Sequence, residues 1–366
     1  MLLRLYVIWS LIFAYLPAAK NAFANVALSI SCFEHVTIGA HKDFIDEAKS
    51  FFQSANNIRV VEMSYFSSWM RDVGPTFVIE KYDESGHSSI SNSRVLPVNW
   101  KFNGWGQKVP DNAFDDTVAN QVAAYCLPEI GPTLHKDFVL EGGSIHVDGE
   151  GTVLATEECL LHKNRNPALT KSDIELRLLE SLGAEKIIWL PRGLYADEDT
   201  NGHIDNICCF SRPGEVILAW CDDPSDEQYH ISREAFEVLS NTLDAKGRQL
   251  SIVKLHTPSP MYYTAEDLES LPLCPSDVDE LTRTVGQRLA GSYVNFYIAN
   301  GGIVCPAGSR REGQDSPGER FPRAESCHGP RRQGYSTRRG QHTLYNAATT
   351  RRILSLGVVL CESPNP

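Results

Sequence analysis

Apolar positions recur along the chain with two alternating spacings, which predicts short buried strands separated by amphipathic helices. Apolar runs at Phe33–Ile38 and Ile58–Met63 are typical of strands, and Lys42–Ser54 between them carries apolar residues at helical spacing. Comparable groups of strand, turn, strand, helix and strand recur about every sixty residues. The period predicts an α/β protein, built as an α/β barrel or as a propeller-like repeat.

The same criteria place the other elements. The predicted helices are Asp111–Cys126, Ser172–Leu182 with Ser172 as its cap and Gly183 as its stop, Ser232–Asp244, and Ser276–Leu289 with Ser276 as its cap. The predicted strands are Thr76–Ile79, Ile187–Leu190, Ile207–Phe210, Val216–Trp220, Leu250–Leu255, Tyr293–Ile298 and Gly302–Cys305. The predicted hairpins are Asp148–Gly151, between the strands Ile145–Val147 and Thr152–Thr156, and the polar turn Asp83–Ser93.

The most polar stretch lies between two of these strands. Nine residues there include Asp197, Glu198, Asp199, His203 and Asp205. Because His203 and Asp205 are two positions apart, an extended strand would point both side chains to the same side. A histidine beside carboxylates suits general acid–base chemistry, and a pair of carboxylates suits a planar cation held by bidentate hydrogen bonds. The alternative is a solvated acidic loop with an incidental histidine.

Other polar segments carry weaker signals. Arg71–Asp72 is interpreted by default as a structural ion pair, and Asn103–Gly106 and Asn164–Pro167 are interpreted as turns. Glu141 precedes two glycines, which allow the backbone to approach a ligand closely. His146 is interpreted as a packed or surface histidine without a role.

Composition narrows the class of protein without choosing one. The 366 residues suffice for one large domain or two, and 42% hydrophobic residues are ample for a core. The net charge of −12 argues against nucleic acid and suits a cationic small molecule. The chain has no glycine-rich phosphate loop, so nucleotide binding has no support. The ten cysteines lack metal-ligand spacing, which favours free thiols in a reducing compartment over disulfides or a zinc site.

The atypical apolar N-terminus, residues 1–20, contrasts with that pattern. Arg4, an apolar run and Pro17–Ala19 resemble a secretory signal, and the run is short for a membrane span. Because the cysteines favour a reducing compartment, we interpret the segment as a mispredicted exon or an intron read-through. We therefore expect a cytoplasmic protein, with secretion as the alternative if the segment is a genuine signal.

Several motifs, taken together, resemble those of the plant-type agmatine deiminases. They are WMRDVGP at Trp69–Pro75, NGWGQK at Asn103–Lys108, LEGGSIHVDGEGT at Leu140–Thr152, ATEECLL at Ala155–Leu161, NRNP at Asn164–Pro167, WLPRGL with NGHIDN in Trp189–Asn206, and YVNFYIANGGIV at Tyr293–Val304. They occur in the family's order and at compatible spacing over residues 21–307.

This resemblance implies the pentein fold, a five-fold pseudosymmetric β/α-propeller around a central active site. The family hydrolyses the guanidinium of agmatine to N-carbamoylputrescine and ammonia in putrescine biosynthesis, without a metal or a cofactor. The implied partner is therefore a small cationic substrate, agmatine, with neither nucleic acid nor membrane. A homodimer is compatible with the resemblance.

The resemblance also implies roles for individual residues. Asp72 and Asp205 would hold the guanidinium as carboxylates. His203 would be the general acid–base, and Glu141 would orient it. The implied substrate-binding positions are Trp69, on the wall of the substrate slot, and Asp197 and Asp199, which would bind the far ammonium of agmatine.

The tail over residues 308–366 departs from the family, whose nucleophile is a cysteine in a GGGNIHC motif near the C-terminus. That motif is missing here, and Gly308–Arg352 holds ten arginines and no lysine, a composition typical of a disordered basic tail. One permitted codon choice for Arg339–Thr349 spells GGNIHCITQQ when it is read from the second base. We therefore interpret the tail as the family's last unit translated out of frame from about Gly308, and we assign no cysteine as nucleophile.

The sequence thus predicts a chain of the agmatine deiminase family that is itself inactive because the attacking thiol is missing. A non-catalytic agmatine-binding protein and a peptidyl-arginine deiminase are the alternatives.

Overall fold

The computed structural model describes residues 5–9, 17–82, 92–109, 112–128, 133–269, 283–306 and 344–347. These residues form a mixed α/β structure, which confirms the predicted class. The predicted turn at residues 83–91, residues 276–282 of the last predicted helix and most of the tail lie outside them. No helix in the described part of the chain is long and apolar enough to cross a membrane.

The described strands form five sheets, each of three strands that are consecutive in the sequence. The strands are β1 (Leu5–Trp9), β2 (Val36–Ala40), β3 (Ile58–Glu62), β4 (Thr76–Tyr82), β5 (Asn92–Lys101), β6 (Thr133–Val139), β7 (Ile145–Val147), β8 (Thr152–Thr156), β9 (Lys186–Leu190), β10 (Cys208–Arg212), β11 (Glu215–Trp220), β12 (Ser251–His256), β13 (Tyr297–Ala299), β14 (Gly302–Pro306) and β15 (Leu344–Ala347). β1 and β15 come from the two terminal segments that the sequence sets apart. Three-stranded open sheets exclude the α/β barrel that the period also allowed.

The helices differ widely in length. They are α1 (Pro17–Ser31), α2 (Ile45–Phe51), α3 (Met70–Val73), α4 (Gly104–Gln107), α5 (Val118–Cys126), α6 (Glu157–Leu160), α7 (Lys171–Leu182), α8 (Ile204–Ile207), α9 (Glu227–Ser240) and α10 (Ala265–Glu269). The four-residue helices α3, α4, α6 and α8 lie within the polar motifs of the sequence, whereas α1, α2, α5, α7 and α9 pack against strands.

Four of the five sheets share one pairing pattern. Their first strand is antiparallel to the second, and the second is parallel to the third. The sheet of β1, β2 and β3 is parallel throughout. Parallel neighbours need a crossover connection, which α2, α5, α7 and α9 provide within the first four sheets. The predicted succession of strand, turn, strand, helix and strand is therefore confirmed in the sheets built from β4 to β12.

Capping chemistry explains where some predicted boundaries are wrong. The cap of α7 is Thr170, which forms a capping box with Asp173, rather than Ser172. Gly183 ends the helix in the left-handed conformation, at φ 63°, as predicted. Asp226 caps α9 by accepting a hydrogen bond from the Gln228 backbone, so this helix begins five residues before the predicted Ser232.

Another predicted element is wrong where the structure describes it. Residues 283–289, the second half of the predicted Ser276–Leu289 helix, form no helix. The backbone of this segment pairs instead with the loop before α10, where the Leu289 N–H donates to Met261 and the Tyr263 N–H donates to Gln287. Turn and bridge geometry satisfies the backbone groups that a helix would otherwise have paired.

Helices and sheets bury the core in four apolar clusters. On α7, Ile174 and Leu178 face the sheet and are fully buried, with Phe138 and Val153 in the same cluster. Leu176 lies on the opposite face of the helix and is 55% exposed. The helix is therefore held by one apolar face, as its sequence period predicts.

Substitutions on the buried and exposed faces of α7 should therefore affect the free energy of unfolding differently. We expect Leu178→Ala to lower the free energy of unfolding by about 2–5 kcal/mol, because it opens a cavity in a packed core. The matched variant Leu176→Ala should change it by less than about 0.5 kcal/mol. Urea unfolding followed by circular dichroism measures both, and equal effects of the two variants would contradict the packing described.

Candidate active site

The Asp72 carboxylate accepts hydrogen bonds from two donors in distant segments of the chain. Asp72 lies in α3, and that helix begins directly after the half-buried Trp69. The indole Nε1 of Trp105 donates to Asp72 Oδ2 at 3.0 Å, and the Gly143 N–H donates to Asp72 Oδ1 at 3.0 Å. Trp105 adopts the left-handed conformation (φ 54°), which is uncommon for a bulky residue and presents its indole to this carboxylate. The carboxylate thus has a fixed orientation before any ligand binds.

Gly143 lies where three of the predicted site residues converge. A Cβ atom at this position would lie 2.6 Å from His203 Nδ1, 2.7 Å from Asp72 Oδ1 and 2.8 Å from Asp205 Oδ2. Gly142 is equally constrained, since its Cβ would lie 1.9 Å from the Arg71 carbonyl oxygen. The lack of a side chain at Gly143 thus lets two carboxylates and an imidazole gather around one backbone position.

His203 and Asp205 reach this position by a different geometry from the one predicted. They do not lie on a strand, because β10 begins only at Cys208. His203 is the extended residue before α8, and Asp205 lies in the first turn of that helix. The explanation from strand alternation is therefore wrong, although both side chains face Gly143.

The His203 ring lies between two carboxylates. Its Nδ1 is 3.8 Å from Asp72 Oδ1, and its Nε2 is 3.9 Å from Glu141 Oε2. Glu141 is fully buried and forms an ion pair with Arg165, whose Nε is 2.7 Å from Glu141 Oε1. A carboxylate on each side can orient the ring and stabilise its protonated form during a reaction.

Asp197 and Asp199 have different surroundings. Asp197 is buried and accepts hydrogen bonds from the Thr200 hydroxyl at 2.6 Å, the Asn206 amide at 2.9 Å and the His203 backbone N–H at 3.1 Å. It therefore shapes the loop that presents His203. Asp199 is half exposed and forms an ion pair with Arg283.

Sequence reasoning missed several residues that build the site. Arg165 was placed in a turn, yet its guanidinium joins Glu141 to the Thr200 carbonyl at 2.9 Å and to Asn201 Oδ1 at 2.8 Å. The Asn166 side chain hydrogen-bonds both backbone groups of Val139, just before Glu141. The NRNP motif was visible in the sequence, but its local pattern indicated only a turn.

Lys108 completes this missed set from the NGWGQK loop. Its ammonium is buried and donates to the backbone carbonyls of Glu198 and Asp199. Lys108 and Arg165 thus hold the acidic loop from two sides, and both place positive charge near His203.

Burial governs the charge state of the site residues. It raises the pKa of Asp72 to about 7, with repulsion from Glu141 adding to the effect, and it raises the pKa of Asp205 to about 8 against the opposing charge of Arg71. Burial, together with Arg165 and Lys108, lowers the pKa of His203 well below its ordinary value. Because the folded pKa of each aspartate lies above its unfolded value, these groups favour folding at low pH. That contribution is lost as pH rises through about 7 to 8.

Four of the described thiols, including Cys159 beside His203, are not activated. Burial raises the pKa of Cys159 and Cys208 well above the ordinary value and that of Cys209 to about 12. Burial also raises the pKa of Cys305. Thiolates are the reactive form, so these four cysteines are poor nucleophiles as placed. The arrangement can bind and orient a planar cation and can move a proton through His203, but these thiols give it no activated attacking atom.

Comparison with known proteins identifies the same group that the motifs resemble. A family profile described as Porphyromonas-type peptidyl-arginine deiminase matches residues 7–316. Agmatine deiminase from Medicago truncatula is 47% identical over 290 residues, which cover 79% of this chain and 75% of the relative. Agmatine deiminase from Pseudomonas fluorescens is 46% identical over 294 residues, with the same coverage of both chains.

A solved structure supports the fold as well. Agmatine deiminase of Enterococcus faecalis, described as catalysing its reaction, superposes with a TM-score of 0.72 at 34% identity, covering 83% of this chain and 80% of that one. The predicted pentein type of α/β fold is thereby confirmed.

The buried ion pair of the site yields a stability prediction. We expect Arg165→Ala to lower the free energy of unfolding by about 3–5 kcal/mol, because Glu141 would stay buried without its cation. The matched variant Arg177→Ala breaks an exposed pair with Asp137 and should cost less than about 1 kcal/mol. Chemical denaturation of the two variants in parallel distinguishes them, and a small loss for Arg165→Ala would show that the pair does not hold Glu141.

Proposed function

The chain belongs to the agmatine deiminase family, whose members are hydrolases acting on guanidino groups, and from this premise we propose that it binds agmatine through the guanidinium. The family reaction would be hydrolysis to N-carbamoylputrescine and ammonia, which places it in putrescine biosynthesis. The pentein domain would comprise residues 21–307, in a cytoplasmic protein, with a homodimer as a compatible assembly. Agmatine is a small cation, and neither nucleic acid nor membrane is part of the proposal.

The convergence around Gly143 is the observation that carries this proposal. Asp72 Oδ1, Asp205 Oδ2 and His203 Nδ1 all lie within 2.8 Å of the point where a Cβ would be. Two carboxylates at one position suit a guanidinium, which donates several hydrogen bonds in one plane. We propose that Asp72 and Asp205 hold the guanidinium, and that Trp69 lines the slot beside Asp72.

His203 is proposed as the proton carrier and Glu141 as the group that orients it. The lowered pKa keeps the imidazole neutral in the free site, so it can accept a proton. In the family reaction a thiol proton would pass to this imidazole as sulfur bonds the guanidinium carbon, and then to nitrogen as ammonia leaves. Water would next lose a proton to the imidazole as its oxygen bonds the carbon, and that proton would return to sulfur as the carbon–sulfur bond breaks.

The far ammonium of agmatine has two proposed partners. Asp199 offers a half-exposed carboxylate that would have to be shared with Arg283. The Asp197 carboxylate already accepts four hydrogen bonds, from the hydroxyl and backbone N–H of Thr200, the His203 N–H and the Asn206 amide. Of the two, Asp199 is therefore the better placed to contact a ligand.

We propose that this chain binds agmatine without turning it over. The family's GGGNIHC segment is missing from the sequence, and burial raises the pKa of the described thiols nearest the site. Water alone is a poor nucleophile toward a resonance-stabilised guanidinium, and the thiol route divides the reaction into two easier steps. A frame-corrected tail would supply the attacking atom.

Peptidyl-arginine deimination is the second candidate, because the matching family profile carries that description. Both substrates present a guanidinium, so the two functions differ only in what surrounds it. A frame-corrected chain offered agmatine and an arginine-containing peptide in separate assays decides between them by the ratio of their kcat/KM values.

Parallel assays of two chains test the proposed function. The chain as given should bind agmatine in isothermal titration calorimetry and release no ammonia, whereas the frame-corrected chain should do both. In the corrected chain, His203→Ala should slow ammonia release by about 10²–10⁴-fold while binding persists. Robust ammonia release by the uncorrected chain would overturn the proposal that this chain is inactive. Absence of agmatine binding by both chains would overturn the proposed ligand.

The raised pKa values of the two aspartates predict a pH dependence of binding. A guanidinium favours ionised carboxylates, so below about pH 7 to 8 binding must expel their protons. Agmatine affinity should therefore rise with pH from about 5 to 8 and then level off. Titrations in buffers of different ionisation enthalpy report the protons released, and Asp205→Asn should reduce that number. Affinity independent of pH would contradict the raised values.

A further inference from the structure

Three metal-ligating side chains meet close to one another around His203. Glu141 follows β6, Cys159 lies in α6 and His203 precedes α8, so the fold brings them together from three separate segments. One donor atom from each residue lies within 4.8 Å of the other two, and all three residues are buried. Among the described residues, this is the group whose donor atoms are close enough together to hold a metal ion.

Two of these donor atoms have no hydrogen-bond partner among the described residues. Both Glu141 Oε2 and His203 Nε2 are buried and unpaired in this way, although they lie 3.9 Å apart. A buried polar atom without a partner is costly and calls for a ligand or an ion. Arg165 contacts the other oxygen of Glu141, which leaves Oε2 available.

We propose that Glu141, Cys159 and His203 bind a thiophilic divalent cation, Zn²⁺ or Cd²⁺, through one oxygen, the sulfur and Nε2. Carboxylate, thiolate and imidazole are the donors that zinc prefers. Tetrahedral zinc with bonds of about 2.0–2.3 Å needs donor separations of about 3.3–3.6 Å, so the cluster closes with small side-chain movements. Binding replaces the thiol proton of Cys159 by the metal, and that proton leaves to solvent.

The surroundings of the cluster suit this assignment. His203 Nδ1 faces Asp72 Oδ1 at 3.8 Å, so a carboxylate stands on the side of the ring away from the proposed cation. Metal-bound histidines commonly have a carboxylate in that place, which orients the ring. Arg165 remains on Glu141 Oε1 and holds that carboxylate in position. Three protein ligands leave a fourth position on the cation for water.

In a frame-corrected chain, metal binding at this cluster would inhibit turnover. The cation occupies Nε2 of His203 and one oxygen of Glu141, so the imidazole could no longer carry protons freely. This consequence rests on the proposed function, whereas the binding of the cation does not. A test of binding alone therefore stands whether or not agmatine is the substrate.

Cd²⁺ titration of the full chain, after chelator treatment, tests the site. We expect one cation to bind with a thiolate-to-metal charge-transfer absorption. Cys159→Ser should abolish that absorption at one equivalent and weaken Cd²⁺ binding at least about tenfold. The control Cys221→Ser, which changes a thiol outside the cluster, should leave the absorption and the affinity unchanged. An undiminished absorption in Cys159→Ser would place the cation on another thiol and overturn the proposal.

A second variant keeps the test decisive if Cys159→Ser does not fold. His203→Gln retains the thiol and should weaken Zn²⁺ binding in calorimetry at least about tenfold. Zn²⁺ binding to the unaltered chain should also release a proton, which titrations in two buffers detect. Unchanged Zn²⁺ affinity in a folded His203→Gln chain, or no binding to the unaltered chain, would overturn the site.

Discussion

The buried ion pair between Glu141 and Arg165 is the interaction on which the rest of the site depends. Both side chains are withdrawn from water, so each charge is tolerable only beside the other. The same guanidinium hydrogen-bonds the Thr200 carbonyl and the Asn201 side chain, in the loop that ends at His203. One cation thus couples the segment after β6 to the segment before α8, and the imidazole is positioned by both.

The second constraint is the close approach of the backbone at Gly143 to site side chains. Unusual backbone conformations occur among the residues that contact this site. Gly143 must lack a side chain for Asp72, Asp205 and His203 to meet. Trp105, which contacts Asp72, and Asn201, which contacts Arg165, take left-handed conformations, at φ 54° and 60°. Such conformations cost free energy and persist only where surrounding contacts enforce them, as the hydrogen bonds of Trp105 to Asp72 and of Asn201 to Arg165 do.

The electrostatics of the site favour a positively charged ligand. Burial raises the pKa values of Asp72 and Asp205 to about 7 and 8, so below neutral pH a cation would displace protons from both carboxyls, and the lowered pKa of His203 favours its neutral form. A guanidinium and a divalent metal ion are two kinds of cation that suit this group of carboxylates and imidazole. We propose that Asp72 and Asp205 hold the first, and that Glu141, Cys159 and His203 hold the second.

The sequence by itself determined the regular succession of strands and helices and ends such as Gly183, because these depend on spacing and on local backbone conformation. Its motifs also pointed to Asp72, Glu141, His203 and Asp205 through their resemblance to a family. Local spacing failed for His203 and Asp205, since the chain turns into α8 there. Only the tertiary structure decided the partners of these residues. Trp105 reaches Asp72 across 33 positions, and Arg165, whose local pattern indicates only a turn, meets Glu141 in a buried ion pair. Burial and long-range contact are properties of the packed chain, and no stretch of sequence displays them alone.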